Sequence, residues 1–333
     1  MNRSLPRICR RPPGHGPARL GLGLGFRLAL GVLFIAAGCT SSNLNPSPGL
    51  TLPPIGGPSP VGSAAPIPVL GAENFYADLL AQVGGSRVSA ASLLNNPNAD
   101  PHAFESSPRA ATLVADAQLV VVNGLGYDAF MDKLLAASPN PSRVVIHVQQ
   151  LLGLADGSNA HAWYAPTTMP RVAIAVAAAL TTLDPANAFY FNARAQIYLD
   201  SLKPLAAKIA DMKARFSGAP VAVTEPVAGD LAGAIGLDVL TPDGFQKSIE
   251  DGIDPAPIDV ARQSDLLTGR LVRILIYNSQ VTTPITSQMR ELAEANGIPV
   301  VGMAETIPAA FADFQDWQLA QLNALEQALA SGG

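Results

Sequence analysis

The chain has 333 residues, 48% of them apolar and 14% charged, enough to bury the core of one large or two medium domains. Its formal net charge of −5 is unevenly spread: residues 1–38 hold six arginines and no acid, so the remainder carries 15 basic against 26 acidic residues, about −11. A body of that sign argues against nucleic-acid binding, and the sequence has no run of 18 or more apolar residues, which argues against a multi-pass membrane protein.

Residues 1–38 read as an export signal. A basic region leads into the apolar run at 28–35, and the small residues Ala36, Ala37 and Gly38 precede Cys39. The run AAGC resembles a bacterial lipobox, with Ala36 where leucine is usual, so Cys39 is expected to be lipidated and to begin the mature chain. Cys9 falls in the discarded part, which leaves the mature chain no second cysteine and no internal disulfide. Residues 39–66 form an uncharged tether rich in Pro, Gly and Ser, a semi-extended spacer that would hold a globular body off a membrane.

From residue 67 strands and helices alternate. Residues 68–72 read as a strand, and Phe75, Leu79, Leu80 and Val83 form a helical stripe that Gly84-Gly85 ends. Strands follow at 88–94, 119–122 and 144–148, with helices at 107–117 and 127–135 between them. The period then changes. Asp184-Pro185 starts a helix whose apolar stripe runs from Phe191 through Tyr198, Leu205 and Met212 to Phe216, with a kink expected at Pro204. A second set has strands at 220–223, 272–277 and 299–303 and helices at 227–235, 260–267, 287–295 and 311–329. The expected architecture is α/β: two Rossmann-like lobes with parallel sheets, at 67–183 and 218–333, joined by one long rigid helix at 184–217. A cleft between lobes is a favoured ligand site.

Three histidines lie in the mature chain. His102 follows the second strand in the loop NADPHAFES, and His161 lies in the loop NAHAWYAP of the same lobe. Loops at the C-terminal ends of parallel strands face the ligand crevice, so both imidazoles are expected at one rim, the start of a transition-metal site. His147 lies inside the strand RVVIHV and reads as structural. In the second lobe the strand PVAVT runs into Glu225, whose carboxylate would face the same cleft. The strand ending at Asn278-Ser279-Gln280 offers neutral oxygens and no acid.

The segments DPHAFESSPRAATLVADAQLVVVNGLGYDAFMDKLL, NAHAWYAP, LDPANAFYFNARAQIYLDSL and GIPVVGMAET together resemble the solute-binding lipoproteins of zinc/manganese ABC transporters, and the resemblance covers the body from about residue 67. It implies that His102 and His161 are the first two metal ligands and Glu225 the third. Many members carry a fourth ligand, an aspartate, after the strand that here ends in YNSQVTTP. No acid stands there, so Gln280, Asn278, Thr282 or a water is expected to fill that place. Glu105 is expected to fix the His102 loop by hydrogen bonds and Asp100, with Pro101, to set its bend.

The resemblance further implies one divalent metal ion as cargo, delivered to a membrane permease and its ATPase by a monomer anchored outside the cell membrane through its lipid. Two imidazoles and a carboxylate favour zinc over manganese or iron, although glutamate and neutral oxygen donors soften that preference. A zinc hydrolase is the first rival, but the sequence has no HExxH spacing and no separate general base. The second is a binding protein for an organic solute or metal chelate in the same cleft, lined by Trp163, Tyr164 and Tyr277. A surface adhesin is a third class, compatible with metal binding and without a mark of its own.

Overall fold

The computed structural model describes residues 65–96, residue 104 and residues 107–332. The expected export signal, Cys39, the tether up to residue 64, and Asp100, His102 and Glu105 lie outside the described residues.

The first lobe runs β1 (Ile67–Glu73), α1 (Asn74–Gly84), β2 (Val88–Leu94), α2 (Pro108–Asp116), β3 (Leu119–Val122), α3 (Phe130–Ala137), β4 (Val144–His147), α4 (Val148–Leu152) and α5 (Thr168–Leu183). Its four strands are parallel in the order β2-β1-β3-β4. Leu119, Val120, Val121 and Val122 are all buried because a parallel sheet is covered on both faces, so the strand reads as an unbroken apolar run. Gly71 lets the first turn of α1 lie directly on β1; a Cβ there would sit 2.3 Å from the Ala77 nitrogen.

Two helices follow, α6 (Ala188–Ser201) and α7 (Lys203–Phe216). The expected single helix is thus divided at Leu202. Pro204 has no N–H to give to the carbonyl four residues back, and its ring crowds that carbonyl. The break matches a change of partner: α6 packs against α1 and α5, whereas α7 packs against α12 (Phe314–Ser331) and the first helix of the second lobe.

That lobe contains β5 (Pro220–Val223), α8 (Gly229–Ile235), β6 (Asp238–Val239), α9 (Asp243–Glu250), α10 (Pro257–Thr268), β7 (Ile274–Asn278), α11 (Pro284–Ala295) and β8 (Val300–Met303) before α12 closes the chain. The order β6-β5-β7-β8 repeats the pattern of the first sheet, again all parallel. In each sheet the order reverses beside the first strand of the lobe, and the crevice outside the C-terminal strand ends at such a point is where open α/β sheets bind ligands. Glu73, Asn123, Glu225 and Asn278 stand at or just past those ends.

The lobes share one apolar core, reaching from Val69 to Leu329. Phe75 packs at 4.5 Å on Trp163 and 6.3 Å from Trp317 of α12. Polar pins reinforce it. Asn74 exchanges two hydrogen bonds of 2.9 Å with the backbone of Ile307, Gln82 and Gln315 pair through their amides at 2.9 and 3.0 Å, and Asp78 accepts the Phe314 N–H at 3.1 Å. A shared core does not open about a hinge without exposing apolar surface. The radius of gyration measured by solution X-ray scattering is therefore expected to stay unchanged within error when ligand is added, whereas closure about a hinge contracts it measurably. A measurable contraction would contradict this reading of the pins.

Candidate metal centre

His161 stands in a loop that other residues hold from both lobes. Asn123, at the end of β3, donates to the Ala160 carbonyl at 2.8 Å, and Asn159 donates across the cleft to the Pro226 carbonyl at 3.1 Å. The Asn159 amide oxygen accepts the His161 N–H at 3.1 Å and lies 3.0 Å from His161 Nδ1. An amide oxygen can only accept, so Nδ1 carries a proton and Nε2 is the nitrogen whose lone pair can be freed. Tyr127 and Trp163 meet the imidazole edge-on, with centroids 5.8 and 5.3 Å away, and fix its plane.

Tyr127 owes its position to an unusual turn. Gly124, Leu125 and Gly126 take φ angles of 80°, 58° and 84° in succession, so the expected helix at 127 starts only at Phe130. Asp128 stabilises the turn, accepting the N–H groups of Asn123 and Gly124 at 2.6 and 2.8 Å. Left-handed backbone at a non-glycine residue such as Leu125 concentrates at functional sites.

Two carboxylates lie beside His161. Glu225 follows β5 in extended backbone, as a residue before proline must, and is 1% exposed. Glu305 lies two residues past β8, fully buried, with Oε2 at 3.2 Å from His161 Nε2. The Asn278 amide donates to Oε1 of both carboxylates, at 2.6 Å to Glu305. One ligand atom from each of His161, Glu225 and Glu305 falls within 4.8 Å of the other two.

This geometry corrects the expectation for the place after β7. The Asn278 amide nitrogen is a donor that clamps two carboxylates, and its oxygen accepts the Gln280 N–H at 2.9 Å. The Gln280 amide oxygen accepts the N–H groups of Glu305 and Thr306 at 2.6 and 3.0 Å. Gln280 thus builds the Glu305 turn. An acid stands one strand later, at Glu305. Glu305 sits inside the segment GIPVVGMAET, and the criterion that picked Glu225, an acid just past a strand end, applies to it equally. Trp163, Tyr164 and Tyr277 are all buried; Trp163 meets the His161 ring, Tyr164 donates to the Ala304 carbonyl at 2.5 Å, and both border a separate, mainly apolar cavity of about 180 Å³.

Burial pulls the His161 imidazole down, but the contact with Glu305 and the charges of Glu305, Glu250 and Glu225 outweigh it and lift it to about 9. Burial and the neighbouring Glu305 raise Glu225 to about 8, against the opposing pull of His161 and Asn278. Glu225 Oε2 is buried without a hydrogen-bond partner. At neutral pH the centre therefore holds protons on His161 and Glu225, which keeps it from carrying unpaired buried charge and which a bound cation would replace. The donor set fits a divalent cation, with imidazole nitrogen and carboxylate oxygen at the C-terminal ends of strands.

Glu73 is a separate oddity. It ends β1 with no exposure, and neither carboxylate oxygen has a hydrogen-bond partner. Burial, then the charge of Asp128, hold its carboxyl well above the usual range, while burial pushes Asp128 to about 6. A carboxyl raised in the folded state supports stability below its unfolded value and loses that support as pH rises. Glu73→Gln cannot ionise, so it is expected to match the wild type near pH 4.5 and to exceed it by about 1 kcal/mol or more at pH 8 in urea unfolding. Equal stability at both values would contradict a neutral Glu73.

Two parallel lobes pinned together, with a buried polar centre at the facing strand ends, define a two-lobed α/β fold with one shared core. The chain belongs to the family of the periplasmic component A of zinc-uptake complexes, ZnuA, whose profile matches residues 69–328. That is a family of substrate-binding transport proteins, not of enzymes. Among curated relatives, the iron-binding protein YfeA of Yersinia pestis is 25% identical over 163 residues, 47% of this chain and 52% of that protein. The manganese-binding lipoprotein MntA of Halalkalibacterium halodurans is 28% identical over 138 residues, 40% of this chain and 45% of that protein. The matched segments thus span about half the length of these relatives or less. The fold is that of the solute-binding protein FpvC of Pseudomonas aeruginosa in complex with Mn2+, with a TM-score of 0.65 and 20% identity, covering 80% of this chain and 100% of that one. It is equally that of the periplasmic zinc-binding protein TroA of Treponema pallidum, with a TM-score of 0.67 and 18% identity, covering 79% and 99%.

Proposed function

We propose that this chain is the extracytoplasmic solute-binding component of an ABC transporter, which captures one divalent transition-metal ion in its cleft and delivers it to a membrane permease served by an ATPase. The observation that carries the reading is the buried group of His161, Glu225 and Glu305, with ligand atoms within 4.8 Å of one another. His102 is the fourth donor in this proposal, brought by the loop after β2. Asp100 and Glu105 support that loop. Asn159 keeps a proton on His161 Nδ1, so His161 meets the ion through Nε2, and Asn278 holds both carboxylates toward it.

Loading replaces the protons on His161 Nε2 and Glu225 with the cation. Relatives are named for iron, manganese and zinc. Zinc is the tighter ion for a mixed imidazole and carboxylate set by the general affinity order, while two carboxylates narrow its lead over manganese and iron. Cys39 carries the lipid in this proposal, the tether spaces the body from the membrane, and the protein acts as a monomer.

Calorimetric titration of metal-stripped protein with zinc and with manganese tests the reading. One ion per chain is expected, with zinc tighter. No binding of either ion by folded protein would end it.

A further inference from the structure

Glu250, the last residue of α9, belongs to no segment that the family resemblance rests on. Its Oε2 lies 3.9 Å from His161 Nδ1, buried and without a hydrogen-bond partner, while the side chain as a whole keeps 14% exposure. The carboxylate therefore reaches from the imidazole to open space. That space is a cavity of about 420 Å³ whose wall includes Leu125, Tyr127, Asn159, Pro226, Asp243 and Glu250. The titratable charges of the wall are Asp243, Glu250 and Asp251 against Lys247, a net of −2, and Lys247 is tied to Asp251 at 2.6 Å. Glu250 is thus the acid of the cavity that touches the centre. Nδ1 and Nε2 are separated by one ring carbon, so an ion held by Glu250 is one short step from the nitrogen that faces Glu305.

We propose that Glu250 is the entry ligand of the metal centre: it takes the hydrated divalent cation from the cavity and hands it along the His161 ring to His161, Glu225 and Glu305. This rests on the metal-binding reading and adds the route by which the ion reaches the site. A carboxylate in a low-dielectric passage raises the local concentration of cations, which speeds capture and makes it sensitive to salt. A transient ligand lowers the barrier in both directions and leaves the end state alone. Glu250 accordingly sets the rate of loading and unloading, and the other residues set the affinity.

Stopped-flow mixing of the metal-stripped full protein with zinc, read by tryptophan fluorescence, tests this, since Trp163 lies 5.3 Å from His161. Glu250→Gln is expected to slow association and dissociation each by about tenfold and to flatten the salt dependence of association. Its equilibrium affinity should stay within about threefold of wild type. Glu250→Asp, which keeps the charge on a shorter stem, should fall between the two, and near-ultraviolet circular dichroism checks that each variant is folded. An unchanged association rate in folded Glu250→Gln overturns the proposal. So does an affinity loss carried by faster dissociation, which would make Glu250 a resident ligand. Wild-type protein that binds no zinc removes the metal reading itself, an outcome distinct from either of these.

Discussion

Glu305→Gln is expected to weaken divalent-metal binding by two to three orders of magnitude, about the 3–5 kcal/mol that removing one member of a buried charged set costs. Glutamine is nearly isosteric. Its side-chain oxygen can still accept from Asn278, and the turn stays fixed because Gln280 holds it through backbone N–H groups. What is lost is one negative charge in direct contact with His161 Nε2. The same change should destabilise the metal-free protein at neutral pH, because it removes the carboxylate paired with the buried, raised His161 imidazole. A fall of about 2–4 °C in melting temperature per kcal/mol is the scale for a body of this size. Calorimetry, with thermal melts in chelator and in excess zinc, reads both effects. Glu326→Gln, which removes a carboxylate paired with Lys208 and Arg215 on the surface, is the control expected to leave metal binding unchanged. Wild-type affinity in Glu305→Gln would sink the assignment of Glu305 as a ligand.

Metal affinity is expected to rise steeply between pH 6 and pH 9, with the ion displacing protons. His161 is lifted to about 9 and Glu225 to about 8, so at pH 7 both hold protons that a bound ion must expel. Each displaced proton steepens the dependence by about tenfold in affinity per pH unit. Stability of the metal-free protein should run the other way. An imidazole raised by its acidic partners contributes fully below its unfolded value of 6.5 and loses that contribution as pH climbs through about 9. Glu225, raised from 4.5, likewise contributes below that value and loses its contribution as pH rises through about 8. The metal-free form is therefore expected to melt at lower temperature at pH 9 than at pH 6.5, while the zinc-loaded form does not. Calorimetry in two buffers of different ionisation enthalpy counts the protons. Binding heats that do not depend on the buffer would refute the protonated centre.

The alternation of strands and helices was legible wherever the apolar pattern had one clear period. β2, β3 and β5 coincide with their expected bounds, β3 and β5 because short apolar runs rich in valine between turn residues leave few alternatives, and β2, whose only β-branched residue is Val88, because glycines before it and the Asn-Pro turn signals after it mark its ends. α5 was not legible. Its sequence TMPRVAIAVAAALTTL is apolar nearly all round, so it shows no stripe, and only its burial among other helices reveals why. β6 escaped because a two-residue strand has no period at all.

The sequence by itself determined the class of fold, pointed to a distortion of the linking helix at Pro204, and singled out His161 and Glu225, which the fold brings together. Each of these rests on local chemistry: a period, a missing N–H, a polar residue just past a strand end. Only the tertiary structure brought Glu305 beside His161 and Glu225, set the Asn278 and Gln280 amides around Glu305, and placed Glu250 against the same imidazole from a cavity. Those roles depend on which strand ends meet across the cleft, and residues separated by 25 to 144 positions come together there because two sheets of equal strand order share one core.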